Sequence, residues 1–294
     1  RDPYIVKMSK LTEPYGESKS DFEIFKGIAC AMGVESDFTG EKTPDDWIKW
    51  LYVETRKKAV VLDLVMPSYE DFEEKGWFKF SDPKEKIVML EKFRKDPIKN
   101  RLKTPSGKIE IYSEVVASFG YRDCTGHAIW QEPCEWLGSN QTKFPLHLIS
   151  NQPDNKLHSQ LDHGSYSRAS KINGWEPIRI NSLDASKRNL KSKDLVIVFN
   201  DRGSCLAAVI LDEGIRPGVV LMSTGAWYDP LDPTIINSIC KNGNPNVLTP
   251  DKGTSSLAQG PIAHTCLVDI KLVDKPMPGV TAYDPPRIIK RDGS

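Results

Sequence analysis

The sequence predicts a chain of two parts, a helical first part and a second part in which short strands close into a β-barrel. Two observations predict it: helix-start signals concentrate before residue 144, and short apolar strands separated by polar loops follow it. Short strands with long loops and little helix between them are typical of a closed barrel. The 294 residues suffice for two domains, each with its own core.

The first part carries three helix-start signals. Ser20 and Glu23 have the spacing of a capping box, and the helix that they begin is predicted to end at Gly33. Pro44 stands at the first turn of a second helix, and residues 68–76 are predicted to form a third. We expect the apolar face of the second helix to be buried, and this face is predicted to contain Trp47, Trp50 and Leu51.

The segment between the third helix and the barrel is predicted to be less regular. Charges of alternating sign over 82–100 are typical of a solvated surface. Residues 108–112 alternate like a strand, and Ser113 begins a brief helix that ends near Gly120. Residues 121–143, rich in Trp and Pro, are predicted to be an irregular connector.

Short apolar segments predict the strands of the barrel. The turn at 200–203 joins two of them directly, and Gly203 is predicted to supply a backbone conformation that other residues resist. A short helix is expected over 182–190, and the Pro-rich tail from 275 is expected to wrap back over the surface. The predicted strands are 145–150, 177–181, 194–199, 205–211, 218–222 and 265–270.

Composition excludes several classes of function. Lys+Arg and Asp+Glu are both 40, so the net charge is zero and no global positive field exists to hold nucleic acid or anionic lipid. No apolar run is long enough for a membrane span or a signal peptide. Because the chain begins with Arg1 and without a leader, we expect a piece of a longer polypeptide from which catalytic parts are absent.

Cysteine and histidine spacings favour neither a metal site nor a nucleophile. The 6 cysteines include no Cys-x-x-Cys pair, and we expect them to be small buried residues. His158 and His163 are five positions apart, which does not place both on one helical face. Neither a nucleophile elbow nor a glycine-rich phosphate loop occurs. We therefore predict no catalytic and no metal-ligating residue in this chain.

Polar loops of the second part are the candidate binding elements. Residues 150–153, 157–160, 244–246 and 253–265 are rich in Ser, Thr, Asn, Gln, Gly and His. Such neutral donors and acceptors suit a ligand with many hydrogen-bonding groups, whose charge is met by backbone N–H groups and a few cations. The candidate cations are Lys156, Arg202, Lys252 and His264.

Several motifs occur in a fixed order along the chain. In the first part they are Gly-Glu-Ser-Lys-Ser-Asp-Phe at 16–22, Thr-Pro-Ser-Gly-Lys-Ile-Glu at 104–110 and His-Ala-Ile-Trp at 127–130. In the second part they are Asn-Asp-Arg-Gly at 200–203, Gly-Ala-Trp-Tyr-Asp-Pro at 225–230, Asn-Pro-Asn-Val-Leu at 244–248 and Gly-Thr-Ser-Ser-Leu-Ala-Gln-Gly at 253–260. Together they resemble the dimethyl sulfoxide reductase family, and within it the trimethylamine-N-oxide and biotin sulfoxide reductases, over nearly the whole chain.

The resemblance implies a molybdenum enzyme that removes an oxygen atom from a small N-oxide or S-oxide, with the metal held by two molybdopterin guanine dinucleotides. It implies an α/β N-terminal part plus a mainly-β double-psi β-barrel. Residues 1–143 would be the partial α/β domain and connector, 144–274 the dinucleotide-binding barrel, and 275–294 a C-terminal tail. The electron donor would be a protein, a cytochrome. The location would be the bacterial periplasm, with the cytoplasm as the alternative.

The resemblance also implies which residues contact the cofactor. They are Ser150, Asn151, Gln152, Pro153, Lys156, His158, Ser159 and Gln160 after the first barrel strand, then Asn246, Ala263, His264 and Thr265. The family often has His-Pro and Arg where this chain has Gln152-Pro153 and Lys156, and a lysine cannot make the two-pronged contact of an arginine. His264 stands where Gln is common. The serine that ligates molybdenum in the family has no counterpart here, so we expect the chain alone to be inactive.

Two other functions are consistent with parts of the sequence. Pyruvoyl-dependent decarboxylases share the double-psi barrel and cut themselves at a Gly-Ser dipeptide such as Gly203-Ser204, although they are far shorter than this chain. A double-psi barrel can also be a non-catalytic module that binds a partner. That alternative predicts no affinity for the pterin dinucleotide and an exposed apolar patch.

Overall fold

The computed structural model describes residues 3–81, 88–139 and 143–285, and the chain divides into two compact units between Lys108 and Ile109. The solvated surface predicted for 82–100 and the predicted tail 275–294 lie partly outside the described residues. In the part of the chain that the structure describes, no helix combines the length and the apolar character that crossing a bilayer requires.

The first unit is mostly helical, with one short sheet. The predicted capping box is present, because Glu23 N donates to the Ser20 hydroxyl and Ser20 N donates to the Glu23 carboxylate. The helix at Pro44 also begins with a capping box, between Thr43 and Asp46. The elements are β1 Tyr4–Val6, α1 Asp21–Ala31, α2 Glu35–Thr39, α3 Pro44–Val61, α4 Tyr69–Lys75, β2 Trp77–Lys79 and α5 Glu91–Lys95.

The face of α3 that is buried differs from the predicted one. Tyr52 stacks on Phe72 of α4, with ring centroids 4.8 Å apart. Trp50 and Leu51 therefore point elsewhere, and they are 46% and 55% exposed in this structure. A helix turns by 100° per residue, so burial of position 52 excludes its two predecessors from the same contact.

The strand predicted at 108–112 is wrong. These residues pair with no strand among the described residues, and Ile109 and Ile111 are exposed. The ladder that does form is antiparallel, between β1 and β2, and it joins Ile5 to Phe78. Strands of three residues are too short to show a periodicity of two, so no sequence pattern predicted this sheet.

The second unit contains a closed barrel whose strand order is β3-β7-β4-β6-β5-β8. β3 pairs with β7 and β4 with β6 in parallel, and the other neighbours are antiparallel. The predicted closed barrel is thus confirmed, with a mixed sheet. The elements are α6 Glu114–Ser118, β3 Leu146–Ile149, α7 Ser165–Ala169, β4 Pro177–Ile180, α8 Ser182–Ser186, β5 Leu195–Phe199, β6 Ser204–Leu211, β7 Val219–Leu221, a 3-10 turn at Pro245–Val247 and β8 Leu267–Leu272.

Alternate residues of the strands fill the barrel. Leu148, Ile180 and Val198 have no exposed surface, while their neighbours along each strand point outward. Each fully buried aliphatic side chain of this kind contributes about 2 kcal/mol relative to exposure. The core therefore lies inside the barrel and leaves the loops at its two ends free to carry other chemistry.

Gly203 is required for a reason other than the predicted one. It is not among the residues with positive φ. A β-carbon at Gly203 would instead lie 2.7 Å from the carbonyl oxygen of Val247, which is closer than van der Waals contact permits. The glycine thus lets the turn between β5 and β6 approach the 3-10 turn.

Candidate functional site

One end of the barrel carries all the predicted contact residues. β3 runs parallel to β7 and antiparallel to β8, so the ends of β3 and β7 lie beside the start of β8. β4 and β6 begin at the same end, and β5 ends there. The loops 150–176, 200–203 and 222–266 therefore share this end, which we call the polar rim. The polar loops predicted to contact one ligand thus lie at a common end of the barrel.

The first loop of the polar rim is tied to the segment that follows β7. The Ser223 hydroxyl donates to Asn151 Oδ1 at 3.0 Å, and Thr224 N donates to the Asn151 carbonyl at 2.9 Å. The Thr224 hydroxyl also reaches Gln152 Oε1 at 3.4 Å. Asn151 and Gln152 are thus held in place by neighbours that the motif analysis did not include.

A cavity of about 350 Å³, lined by both polar and apolar groups, lies beside this loop. Its walls are the loop 151–156 and its floor is the outer face of β4, β6 and β7. The floor contains Pro177, Arg179, Ile210 and Leu221. A space of this size accommodates part of a large polar ligand or several water molecules.

Two buried polar atoms in this loop lack protein partners. Ser150 is 3% exposed, and its hydroxyl makes no hydrogen bond within the described residues. The Asn155 side-chain Nδ2 donates to Ser170 Oγ at 2.7 Å, but the side-chain oxygen Oδ1 is buried and accepts no hydrogen bond from the described residues. An unpaired buried polar atom is destabilising, so both atoms have a hydrogen-bonding capacity that the described residues leave unused.

Lys156 occupies a different environment from the one predicted. Its ammonium lies 2.6 Å from Asp162 Oδ1 and 3.0 Å from Glu176 Oε1, and its side chain is 3% exposed. Glu176 also accepts from Lys171, so two lysines balance two carboxylates. The charge of Lys156 is therefore neutralised inside the protein, and a ligand of the polar rim would not meet a free cation at this position.

Both ions of this pair are charged at neutral pH. Burial alone would raise the pKa of Asp162 and lower the pKa of Lys156. For Asp162, the hydrogen bonds from Lys156 and from the Trp227 N–H, together with the charge of Lys156, outweigh the effect of burial. For Lys156, the hydrogen bonds and charges of Asp162 and Glu176 outweigh it. As a result the pKa of Asp162 lies below its ordinary value and the pKa of Lys156 lies above it.

The tight turn 157–160 rests on the segment after β7. His158 adopts a positive φ of 50°, and the carbonyl of Ser159 accepts from Trp227 Nε1 at 2.7 Å. The side chains of His158, Ser159 and Gln160 are exposed at the polar rim. They are therefore presented to solvent on a turn whose backbone is fixed.

The remaining predicted residues frame the other side of the polar rim. His147 Nε2 lies 2.6 Å from the carbonyl oxygen of His264, and because a carbonyl only accepts, Nε2 carries the proton. The Thr265 hydroxyl donates to the Ile262 carbonyl at 2.9 Å. Ala263 is half-buried, and the side chains of His264 and Asn246 are exposed.

Of the other candidate cations, Arg202 is structural. Its guanidinium pairs with both oxygens of Glu135, and its Nε donates to the Leu248 carbonyl at 2.7 Å. Glu135 in turn accepts from Leu267 N at 2.8 Å. Lys252 is exposed, with its ammonium 3.5 Å from Cys134 Sγ. Within the described residues, no group of three His, Cys, Asp or Glu side chains is placed to hold a metal ion.

Asp162 and Tyr283 are important residues that the sequence analysis missed. Asp162 has no exposed surface and accepts hydrogen bonds from several segments. An isolated acid between Leu161 and His163 carries no motif that would have revealed it. Tyr283 belongs to the segment predicted only as a surface tail, and its hydroxyl donates to Asp162 Oδ2 at 2.9 Å.

Residues 146–267 match the family described as the Molydopterin dinucleotide binding domain. The chain is 39% identical over 284 residues to the dimethyl sulfoxide/trimethylamine N-oxide reductase of Cereibacter sphaeroides, covering 96% of this chain and 34% of that protein. It is 40% identical over 286 residues to the trimethylamine-N-oxide reductase of Salmonella typhi, covering 96% of this chain and again 34% of that protein. The chain thus spans about a third of the length of these relatives.

A solved structure shares the fold. Acetylene hydratase from Pelobacter acetylenicus superposes with a TM-score of 0.66 over 92% of this chain and 35% of its own, at 18% sequence identity. At that identity the likeness shows the fold alone. The sequence matches reach further, and they confirm the predicted resemblance: the chain matches a C-terminal portion of the dimethyl sulfoxide reductase family, and its barrel is a molybdopterin dinucleotide-binding domain.

Proposed function

We propose that the polar rim holds a molybdopterin guanine dinucleotide and that the chain serves a molybdenum oxidoreductase that reduces N-oxides or S-oxides by oxygen-atom transfer. The relatives that are 39% and 40% identical are reductases of dimethyl sulfoxide and trimethylamine N-oxide, which supports this substrate class. An electron-donor protein, a cytochrome, would supply the electrons.

The observation that carries the proposal is the pair of unsatisfied buried atoms at the polar rim. Ser150 Oγ and Asn155 Oδ1 are desolvated by the fold without protein partners, and both lie in the first rim loop. The loop that contains them offers hydroxyl and amide groups from Ser150, Asn151, Gln152 and Asn155, which suit the amide and amine groups of a pterin or a guanine. The residues present therefore fit the cofactor that the matched domain binds.

Each group of rim residues has a defined role in the proposal. The loop from Ser150 to Lys156 contributes the unpaired hydroxyl and amide oxygen, and its backbone is fixed by the bonds to Ser223 and Thr224. The exposed side chains of the turn 157–160, together with Asn246 and the segment 263–265, face the ligand from other sides of the rim.

Oxygen-atom transfer and the accompanying redox chemistry are supplied by the molybdenum carrier when it is bound. The residues of this chain bind and orient the dinucleotide and keep water from its buried parts. Lys156 acts through the loop rather than on the ligand, because its ammonium is already paired with two carboxylates.

The test is to purify the natural polypeptide that carries this sequence from a host that makes the guanine dinucleotide cofactor, and from a matched host that does not. We expect molybdenum and acid-released GMP only in the first preparation, with oxidation of a reduced viologen dye on addition of trimethylamine N-oxide or dimethyl sulfoxide. Absence of both molybdenum and GMP from the first preparation would overturn the proposal and favour a non-catalytic binding module.

The same preparation tests the decarboxylase alternative. In the structure Ser204 is the first residue of β6 and pairs with Phe199. We expect an intact mass that corresponds to one unbroken polypeptide. Two fragments separated after Gly203 would instead support the pyruvoyl enzyme.

A further inference from the structure

Asp162 is the point at which four segments of the second unit meet. Its Oδ1 accepts from Lys156 at 2.6 Å. Its Oδ2 accepts from Trp227 N at 3.0 Å, from Asn242 Nδ2 at 3.2 Å and from the Tyr283 hydroxyl at 2.9 Å. A carboxylate with no exposed surface can remain ionised only because it is surrounded in this way.

The C-terminal segment that contributes Tyr283 to this cluster is bound to the polar rim by further hydrogen bonds. Thr281 N and Ala282 N donate to Asp229 Oδ2 at 2.7 and 3.1 Å, and the Thr281 hydroxyl donates to Asp229 Oδ1 at 2.8 Å. Lys241 donates to the Thr281 hydroxyl at 2.7 Å. Residues 281–283, which we call the strap, are thereby fixed across the segments 227–229 and 241–242.

The Tyr283 ring completes the attachment. It lies 5.9 Å from the Trp227 ring, and the Lys171 ammonium and the Arg168 guanidinium lie 5.5 and 5.3 Å from its centroid. Burial and the neighbouring Asp162 carboxylate raise the pKa of Tyr283 well above its ordinary value. The neutral hydroxyl has one proton to donate and two acceptors within reach, Asp162 Oδ2 at 2.9 Å and Asn242 Oδ1 at 3.0 Å. A neutral donor suits a cluster whose two lysines already balance its two carboxylates.

The cluster is connected to the first rim loop at two points. Lys156 belongs to that loop and is held by Asp162. Trp227, whose backbone N–H donates to Asp162, uses its indole Nε1 to hold the carbonyl of Ser159 at 2.7 Å. A displacement of Asp162 would therefore loosen the contacts of both Lys156 and Ser159, the two ends of the segment 156–159 at the polar rim.

We propose that Asp162 and Tyr283 are positioning residues that hold the segment 156–160 in its ligand-binding conformation, and that the strap 281–283 holds Tyr283 in place. We call this arrangement the lock. This inference rests on the proposed function of the polar rim, and it assigns to the C-terminal segment a role in retaining the dinucleotide. Loss of the Tyr283 hydroxyl leaves the buried Asp162 with one hydrogen-bond donor fewer. We expect the segment 156–160 to become more mobile while the barrel core stays folded.

The test compares Tyr283→Phe with the control Tyr121→Phe, both introduced into the natural polypeptide purified with its cofactor. Tyr121 is exposed and lies outside the loops of the polar rim, and its hydroxyl makes no hydrogen bond within the described residues. The same atom is therefore removed without touching the cluster or the proposed ligand-binding face. The release of GMP-containing dinucleotide and of molybdenum is followed after dilution, at a temperature well below unfolding. The global unfolding rate of each variant is measured by pulse proteolysis.

We expect Tyr283→Phe to release the dinucleotide about fivefold faster than the parent, the factor that corresponds to one lost hydrogen bond, at an unchanged unfolding rate. Tyr121→Phe is expected to behave like the parent. Thr281→Val, which loosens the strap without altering Tyr283, is expected to accelerate release in the same direction.

Equal release from Tyr283→Phe and the parent would overturn the lock while leaving the proposed function in place. The lock would also be overturned if Tyr283→Phe released the dinucleotide faster but unfolded faster by the same factor, because Tyr283 would then only stabilise the fold. A parent that carries no dinucleotide at all would overturn the proposed function and the lock together.

Discussion

The carbonyl oxygen of His158 lies against the α-carbon of Gly225, at 1.9 Å from the position that a β-carbon there would occupy. Gly225 also has a φ of 97°, a conformation that residues with a side chain rarely adopt. The glycine of the motif Gly-Ala-Trp-Tyr-Asp-Pro therefore permits the turn 157–160 to rest on the segment after β7. This contact explains in physical terms why the two motifs occur together.

Gly225→Ala is expected to destabilise the second unit by about 3 kcal/mol, the sum of a backbone clash and an unfavourable φ. The measurement is the free energy of unfolding in urea. Gly174→Ala is the matched control, because Gly174 also has a positive φ of 87° but a β-carbon there meets nothing within 4 Å. An equal loss in both variants would show that strain alone, without the contact to His158, accounts for the effect.

The barrel could be predicted from the sequence because each strand is a local pattern bounded by turn residues. Residues 146–149 and 195–199 are examples, since their apolar side chains alternate in burial as the pattern requires. The polar loops could also be predicted from the sequence, and the family resemblance predicts that they bind a ligand. The common rim then follows from the order of the strands.

The Asp162 cluster could not be predicted, because Asp162 is separated from its partner Tyr283 by 121 positions in the sequence. Lys156 belongs to the first rim loop, but its ammonium is paired with two carboxylates that no local sequence pattern connects to it. The prediction of the buried face of α3 was wrong for a related reason. Trp50 and Leu51 are as apolar as Tyr52, so only tertiary packing decides which of them is buried.

Arg202→Ala is expected to lower the free energy of unfolding by about 2 kcal/mol, because it leaves Glu135 and the Leu248 carbonyl without their charged donor. Arg179→Ala removes an exposed ion pair with Asp212 and is expected to change stability by less than about 1 kcal/mol. Thermal and urea unfolding of the two variants measure the difference. Equal stabilities of the two variants would contradict the structural role of Arg202.

The stability of the second unit is expected to fall at acid pH through Glu135. Burial alone would raise the pKa of Glu135, but hydrogen bonds from Arg202 and Leu267 N, with the charge of Arg202, hold it below its ordinary value. A carboxyl whose folded-state pKa is depressed contributes stability above its unfolded pKa of about 4.3. That contribution is lost as the pH falls from there through the folded-state pKa.

The Glu135→Gln variant isolates this contribution, because the other carboxyls of the chain titrate equally in both proteins. The free energy of unfolding should decline less steeply below about pH 4 in the variant than in the parent. It should be lower than that of the parent at pH 7, where the parent's ion pair is complete. If the free energy of unfolding changed with pH in the same way for both proteins, protonation of Glu135 would not be coupled to unfolding.

Ser150→Ala is expected to have opposite consequences for the free protein and for ligand binding. The Ser150 hydroxyl is buried and unpaired within the described residues, so its removal should leave the stability of the cofactor-free protein unchanged or raise it by up to about 1 kcal/mol. Its absence should weaken retention of the dinucleotide about fivefold, since one hydrogen bond to the ligand is lost.

Ser167→Ala provides the matched comparison for that variant. Ser167 is similarly buried, but its hydroxyl donates to the Asn155 carbonyl at 3.1 Å, so its removal should cost the free protein about 1 kcal/mol. Urea unfolding of the cofactor-free proteins and GMP content of the cofactor-loaded proteins measure the two effects. Because only a hydroxyl reserved for an external ligand can be neutral for folding and important for binding, a Ser150→Ala protein that loses stability yet keeps its full GMP content would show that this serine serves the fold.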